Sequence, residues 1–300
     1  MRIASLLPSA TEIVCSLGME EELVAVTHEC DYPESVRAKP VLTRSVLSGT
    51  SSEIDRHIRE VVHQGSSIYA LDADLLAALQ PDVILTQELC EVCAVSYPIV
   101  ERAARRLGSS PQLVSLEPES LEDVFQNILF VGRLVGRHDA AEVVCDSLRR
   151  RIATVEQRVA GRPRRTVVCL EWVDPPFNCG HWTPELVSIA GGDELLGVAR
   201  QPARAVDWQQ VIDAAPQVVV VMACGFSLER SLREVEAARG RFDALRGDIW
   251  VVDGNAFFSR PGPRLVDSVE IMAGILHPGA VDPPPPVTAR RLERASAPRS

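Results

Sequence analysis

A chain of 300 residues, 46% hydrophobic and 24% charged, is long enough to bury a core and to form about two domains, which excludes both a single small module and a long repeat array. Its 31 basic and 41 acidic side chains leave a formal charge of −10, without the basic footprint of a protein whose main partner is nucleic acid. No stretch reaches the ~18 uncharged apolar residues of a membrane-inserting helix, and the eight dispersed cysteines are not the dense framework of a small disulfide-stapled domain.

From the N-terminus, the run Arg2 to Leu7 is stopped at once by Pro8, which predicts a first strand rather than a signal-peptide core. Together with the scattered cysteines this predicts a cytoplasmic protein in a reducing compartment. Ser9-Ala10-Thr11-Glu12 has the spacing of a capping box and predicts a helix over 11–17, ended by Gly18. Strands follow over 23–27, 82–86 and 113–116, with helices over 52–64, 73–79 and 98–107. From 120 to 160 the apolar residues recur at helical spacing, the second part being a long helix over 139–160 that Gly161 and Pro163 end. The apolar strand 166–170 opens a second series: helices over 184–190, 208–214, 228–238 and 264–276 alternate with strands over 218–222 and 249–253. Alternation of this kind predicts an α/β fold, two Rossmann-like α/β lobes joined by one long α-helix. The boundaries are 1–118 for the N-terminal lobe, 119–162 for the connecting helices, 163–278 for the C-terminal lobe, and 279–300 for a disordered Pro-rich tail. The stretch Leu75 to Leu85 is echoed by Val211 to Val220 as helix, proline, then strand, one copy in each half.

Ligands of open α/β sheets bind beyond the carboxyl ends of the strands, so the residues after each predicted strand are the candidate site. They are Pro8 and Ser9, then His28 and Tyr32, then Glu88, in the first half. The second half contributes Trp172, Phe177, His181 and Trp182, followed by Cys224 and Phe226, and by Phe258 and Arg260. Trp172, Phe177 and Trp182 offer a flat apolar wall to a large ligand, with His181 as its polar handle and Arg260 as a grip for an anionic group. This predicts a cleft lined from both lobes. His28-x-Cys30 with Cys90-x-x-Cys93 supplies one imidazole and three thiols, a set suited to zinc or iron; the same Cys-x-x-Cys also fits a thiol redox motif or two buried reduced cysteines. The chain lacks the phosphate-loop, dinucleotide and nucleophile-elbow motifs.

The order of elements, the opening Arg2 to Ile13 with Leu17-Gly18 and Leu23 to Thr27, and the two helix-Pro-strand units resemble the helical-backbone class of substrate-binding proteins that serve importers of cobalamin and iron-siderophore complexes. The resemblance spans about residues 1–276. More narrowly, Thr27 to Pro33, Cys90 to Ser96, Asp174 to Phe177 and Ser259 to Arg264 are similar to a signal-less subgroup labelled cobalamin-binding. The resemblance implies a non-enzymatic protein holding a corrinoid or similar large metal-containing molecule in the interlobe cleft, with His28 or His181 within reach of the metal. It also implies a docking glutamate for an ABC permease in each lobe, seven residues before the hallmark proline. Those positions are Asp74 and Gln209 here, one charge shortened and the other gone. The second expectation, from the thiols, is a cytoplasmic metal-binding or redox protein or enzyme built on His28, Cys30, Cys90 and Cys93.

Overall fold

Residues 1–45, 49–63, 69–87, 97–108 and 110–293 are described by a computed structural model, in which the chain divides into two compact units. Unit 1 comprises Met1–Pro118 and Glu122–Ser147, and unit 2 comprises Glu119–Leu121 and Leu148–Ser300.

Unit 1 contains β1 (Ile3–Ser5), α1 (Pro8–Ser16), β2 (Leu23–Ala25), β3 (Thr43–Ser45), α2 (Ser51–His63), β4 (Tyr69–Leu71), α3 (Ala73–Leu79), β5 (Val83–Thr86), α4 (Tyr97–Ala104), β6 (Gln112–Ser115) and most of α5 (Leu121–Leu134). Its main sheet is parallel in the order β2-β1-β5-β6. All of β1 and β5 is buried, which is why both read as unbroken apolar runs rather than alternating ones. Leu6, Leu76, Ile84 and Val100 form the core around them. A two-stranded antiparallel sheet, β3 against β4 with Thr43 opposite Leu71, is an addition to the predicted elements.

The capping box expected at Ser9 does not form. Helix α1 starts three residues earlier than expected, at Pro8, whose missing N–H costs nothing in the first turn, so Ser9 already lies inside the helix. Thr11 instead donates its hydroxyl to Ser5 Oγ at 2.8 Å, tying the helix to the end of β1. The region expected to be helical from 120 to 160 is two helices, α5 and the 22-residue α6 (His138–Val159), separated where Gly136 takes φ 71°. Buried Ala141, Cys145, Leu148, Ile152, Val155 and Val159 recur every three or four residues along α6, and the boundary between the units falls inside it, after Ser147.

Unit 2 continues with β7 (Arg165–Trp172), β8 (Phe177–Asn178), α7 (Thr183–Ile189), β9 (Gly192–Glu194), α8 (Trp208–Asp213), β10 (Val218–Val221), α9 (Leu228–Ala237), α10 (Arg239–Asp243), β11 (Asp248–Val252), α11 (Leu265–Leu276) and β12 (Ala289–Arg291). The sheet order is β12-β11-β10-β7-β8, with β9 also on β7. Strands β7, β10 and β11 are parallel, and the four valines of β10 have no exposure at all.

Of the tail expected to be disordered over 279–300, residues 279–293 are ordered. Its strand β12 pairs antiparallel with β11, Ala289 opposite Val252, while Val281 and Ala289 are buried. The physical reason is the edge of β11, whose backbone groups need partners. Asp253 donates its N–H to Thr288 O at 2.9 Å, and Leu292 donates to Ile249 O at 2.8 Å.

Candidate functional site

In unit 1 the carboxyl end of β1 leads directly into Pro8 and Ser9 at the start of α1, Ser9 being buried. Beyond β2, His28 is exposed, with its Nδ1 2.7 Å from Thr43 Oγ1 on β3, and the Thr43 oxygen also accepts the His28 N–H at 3.2 Å. The imidazole stands 5.5 Å from the ring of Tyr69, whose hydroxyl donates to Glu29 Oε1 at 3.1 Å. Tyr32 is 49% exposed. Cys30 points elsewhere: it is buried, and its sulfur lies 3.1 Å from the hydroxyls of both Thr11 and Thr27. His28 and Cys30 thus have different hydrogen-bond partners. Glu88, Cys90 and Cys93 lie outside the described residues.

In unit 2, β7 ends in Trp172, whose ring centroid is 4.8 Å from that of Phe226. Arg230 lies over the same Phe226 ring, Cζ 3.6 Å from its centroid, as a cation on an aromatic face. This spacing follows from the start of α9: Ser227 accepts the Arg230 N–H, which places residue 230 in the first turn, next to residue 226. The Trp172 indole N–H is buried and has no hydrogen-bond partner among the described residues.

The loop after β8 holds His181 at φ 47°, fixed by its N–H donating to Gln201 O at 2.7 Å and by its carbonyl accepting from Arg200 N at 2.9 Å. Burial pulls the imidazole below its ordinary pKa, against the opposing field of Glu119, so it is neutral at pH 7, and its Nδ1 has no partner among the described residues. Trp182 is turned inward, its indole N–H donating to Phe258 O at 2.9 Å. Both Trp182 and Phe258 are buried, at 9% and 3% exposure. Phe177, on β8, is half-buried. Arg260 is 3% exposed and acts electrostatically on Asp253, whose carboxyl burial pushes up and Arg260 pulls back.

Sequence reasoning missed four of these participants: Thr43, Tyr69, Arg230 and Glu171. Glu171 sits at the carboxyl end of β7, beside Trp172, and accepts the Gly180 N–H at 3.1 Å. Burial, then the neighbouring Cys224, pushes its carboxyl up to about 8, so it is protonated at neutral pH. An acid inside the apolar run Val167 to Trp172 was the available signal. Among the described residues one group brings three metal-type ligand atoms within 4.8 Å of one another, Cys169, Cys179 and Glu194, and none of these was a candidate.

A family model described as periplasmic binding protein matches residues 3–240. The chain belongs to the periplasmic binding protein family. The vitamin B12-binding protein of Vibrio cholerae serotype O1 is 24% identical over 274 residues, covering 90% of this chain and 86% of that protein. The vitamin B12-binding protein of Yersinia pseudotuberculosis is 25% identical over 231 residues, covering 73% and 69%. Among solved structures, a periplasmic heme-binding protein from Pseudomonas aeruginosa superposes with a TM-score of 0.75 at 18% identity over 99% of each chain. The periplasmic vitamin B12-binding protein of Vibrio cholerae superposes with a TM-score of 0.63 at 20% identity, covering 91% of this chain and 94% of that one. At such identities the solved structures establish the periplasmic binding protein fold. The cytoplasmic expectation is corrected by these matches, since the family and its solved relatives are periplasmic. Dispersed cysteines did not carry the compartment, because spacing alone does not say whether thiols meet.

Proposed function

We propose that this chain is a periplasmic substrate-binding protein for a large, flat, metal-containing tetrapyrrole, with a corrinoid as the first choice and heme as the second. The observation that carries the reading is the Trp172, Phe226 and Arg230 stack at the carboxyl end of β7, with a Trp172 indole N–H that has no partner among the described residues. Flat apolar faces and a buried donor lacking an acceptor are what a planar ring with polar side groups completes. The vitamin B12-binding relatives support the corrinoid, and the heme-binding neighbours support the wider class. His181, neutral and with Nδ1 unpartnered among the described residues, or else His28, is the candidate ligand for the metal. Buried Arg260 is the candidate partner of an anionic side group.

Family membership supports an ABC permease as partner. Its contact would use exposed Asp74 in the first turn of α3 and exposed Gln209, whose amide donates to Asp213 Oδ1 at 2.7 Å so that a carboxylate lies one turn further along α8.

The test is gel filtration of the purified protein after incubation with cobalamin or, separately, hemin, read by the visible spectrum of the protein peak and by thermal unfolding. Retained corrinoid, with stability rising as RT ln(1 + [L]/Kd), about 2.7 kcal/mol at a hundredfold excess over Kd, is the expected result. Trp172→Ala should weaken retention at least tenfold, and His181→Ala should alter the absorption bands of the bound metal. Absence of both ligands from the protein peak, with no shift in unfolding, overturns the reading.

A further inference from the structure

The Cys169, Cys179 and Glu194 cluster plays no part in the proposed ligand site. Strands β7 and β8 are antiparallel with Leu170 opposite Asn178, and Cys169 and Cys179 flank that pair, Cys179 lying just past the end of β8. In regular antiparallel pairing, residues in that relation have Cα atoms about 4.5–5.5 Å apart, inside the range a disulfide spans. The two thiols are hydrogen-bonded to each other, both side chains are wholly buried, and their sulfurs lie within 4.8 Å.

Two occupants suit a pair of thiols beside a carboxylate: a soft metal ion, or no ion and a covalent bond. The carboxylate decides between them. Glu194 Oε1 already accepts the N–H groups of Leu196 and Gly197, each at 3.0 Å, and Oε2 accepts that of Cys169 at 2.9 Å. Glu194 thus holds the turn after β9, and the cluster offers two sulfurs where a tetrahedral ion needs four ligands.

We infer that Cys169 and Cys179 form an intramolecular disulfide as the chain folds in an oxidising compartment. The oxidant is a disulfide, of a protein or of a small thiol. The thiolate of one cysteine attacks it, forming a mixed disulfide and expelling one of its sulfurs; the thiolate of the second attacks the cysteine sulfur of that mixed bond and expels the other. Two thiol protons are released, two electrons pass to the oxidant, and the oxidant leaves as two thiols. The reaction belongs to folding rather than to the folded protein. Burial pushes the Cys169 thiol up to about 12 and raises Cys179 as well, so neither is a thiolate once packed. The backbone at Gly197 also closes over Cys179, where even a methyl group would overlap its sulfur. The inference stands on the Cys169, Cys179 and Glu194 cluster and takes only its physiological oxidant from the periplasmic location proposed above.

The test is to unfold the full chain in guanidinium with dithiothreitol and refold it in a mixture of reduced and oxidised glutathione. It is then unfolded again, alkylated with N-ethylmaleimide, and digested for mass spectrometry. The expected result is one peptide pair joined through Cys169 and Cys179, about 2 Da lighter than the two free thiol peptides. The bridged protein should also lose a few degrees in Tm on reduction, a change absent from the Cys169→Ala/Cys179→Ala variant. The peptide map of the wild-type chain decides the matter even where that variant fails to fold. Maleimide on both cysteines, a bridge from either to Cys224, or stoichiometric zinc with both thiols unbridged would each overturn the inference. None of these outcomes depends on whether cobalamin or hemin binds.

Discussion

Gln80 and Ala215 both stand in the left-handed backbone region, at φ 42° and 45°, immediately before Pro81 and Pro216. Eight residues earlier in each case is an aspartate that starts a helix. Asp72 accepts the Leu75 N–H at 2.9 Å, and the Asp207 N–H donates to Gln210 Oε1 at 2.8 Å. Two residues after each proline a strand begins, β5 at Val83 and β10 at Val218. The two series keep one offset of 135 residues from the aspartate to the strand, so the echo read in the sequence is a unit built twice, down to its backbone dihedrals.

Ala215→Gly should stabilise the protein. A left-handed conformation costs an L-residue roughly 1–2 kcal/mol, while glycine's extra freedom when unfolded takes back about 0.5–1 kcal/mol. Ala215 is exposed, so its methyl group contributes no packing. The expected gain is about 0.5–1 kcal/mol, read as a Tm higher by ~2 °C. Gln80→Gly should gain less, because Gln80 Nε2 donates to Ala77 O at 2.6 Å and that bond is lost.

Glu171 should make stability fall as pH rises. Its folded-state pKa, about 8, lies above the ordinary 4.5, so the folded protein binds the extra proton. The contribution is full below about pH 4.5 and lost progressively up to about pH 8. Thermal unfolding of wild type and Glu171→Gln across this window should show wild type losing Tm relative to the variant. Parallel curves would show that the carboxyl titrates normally.

Arg151, on α6, forks onto α11: its Nε donates to Glu270 Oε1 at 2.9 Å and a terminal nitrogen to Glu270 Oε2 at 2.7 Å, with Asp267 completing the set. All three side chains are 30–41% exposed, so water and salt screen the group. Arg151→Met should cost about 1 kcal/mol at low ionic strength and less in 1 M salt. Urea midpoints at the two salt concentrations measure the difference.

Removal of residues 279–300 should lower Tm by ~5 °C or more and promote association, since it strips β12 from β11 and uncovers an edge. Differential scanning calorimetry with light scattering compares the truncated and the full-length chains.

The α/β alternation was legible because parallel strands covered on both faces leave runs such as Val218 to Val221, and because helices such as α6 keep an apolar stripe. Strands β3 and β4 were not, since only Thr43 of their six residues is fully buried and no apolar pattern marks them. The same holds for β12, where Ala289 alone is buried and the two arginines beside it read as a polar tail. In the candidate site, the aromatic cluster from Trp172 to Trp182 was visible as composition. How each indole is committed was not: the Trp172 N–H has no partner among the described residues, whereas Trp182 donates its own to Phe258 O. That difference is set by contacts across 76 residues of chain, beyond the reach of local spacing.

Strand β12 also makes the sheet of unit 2 depend on distant chain. Strand β11 ends at Val252, but its outer neighbour is residues 289–291, so some forty further residues must reach the folding compartment before the sheet can close. Until they do, the folding chain carries an open edge, and that interval is the one in which a holding chaperone has a strand to protect.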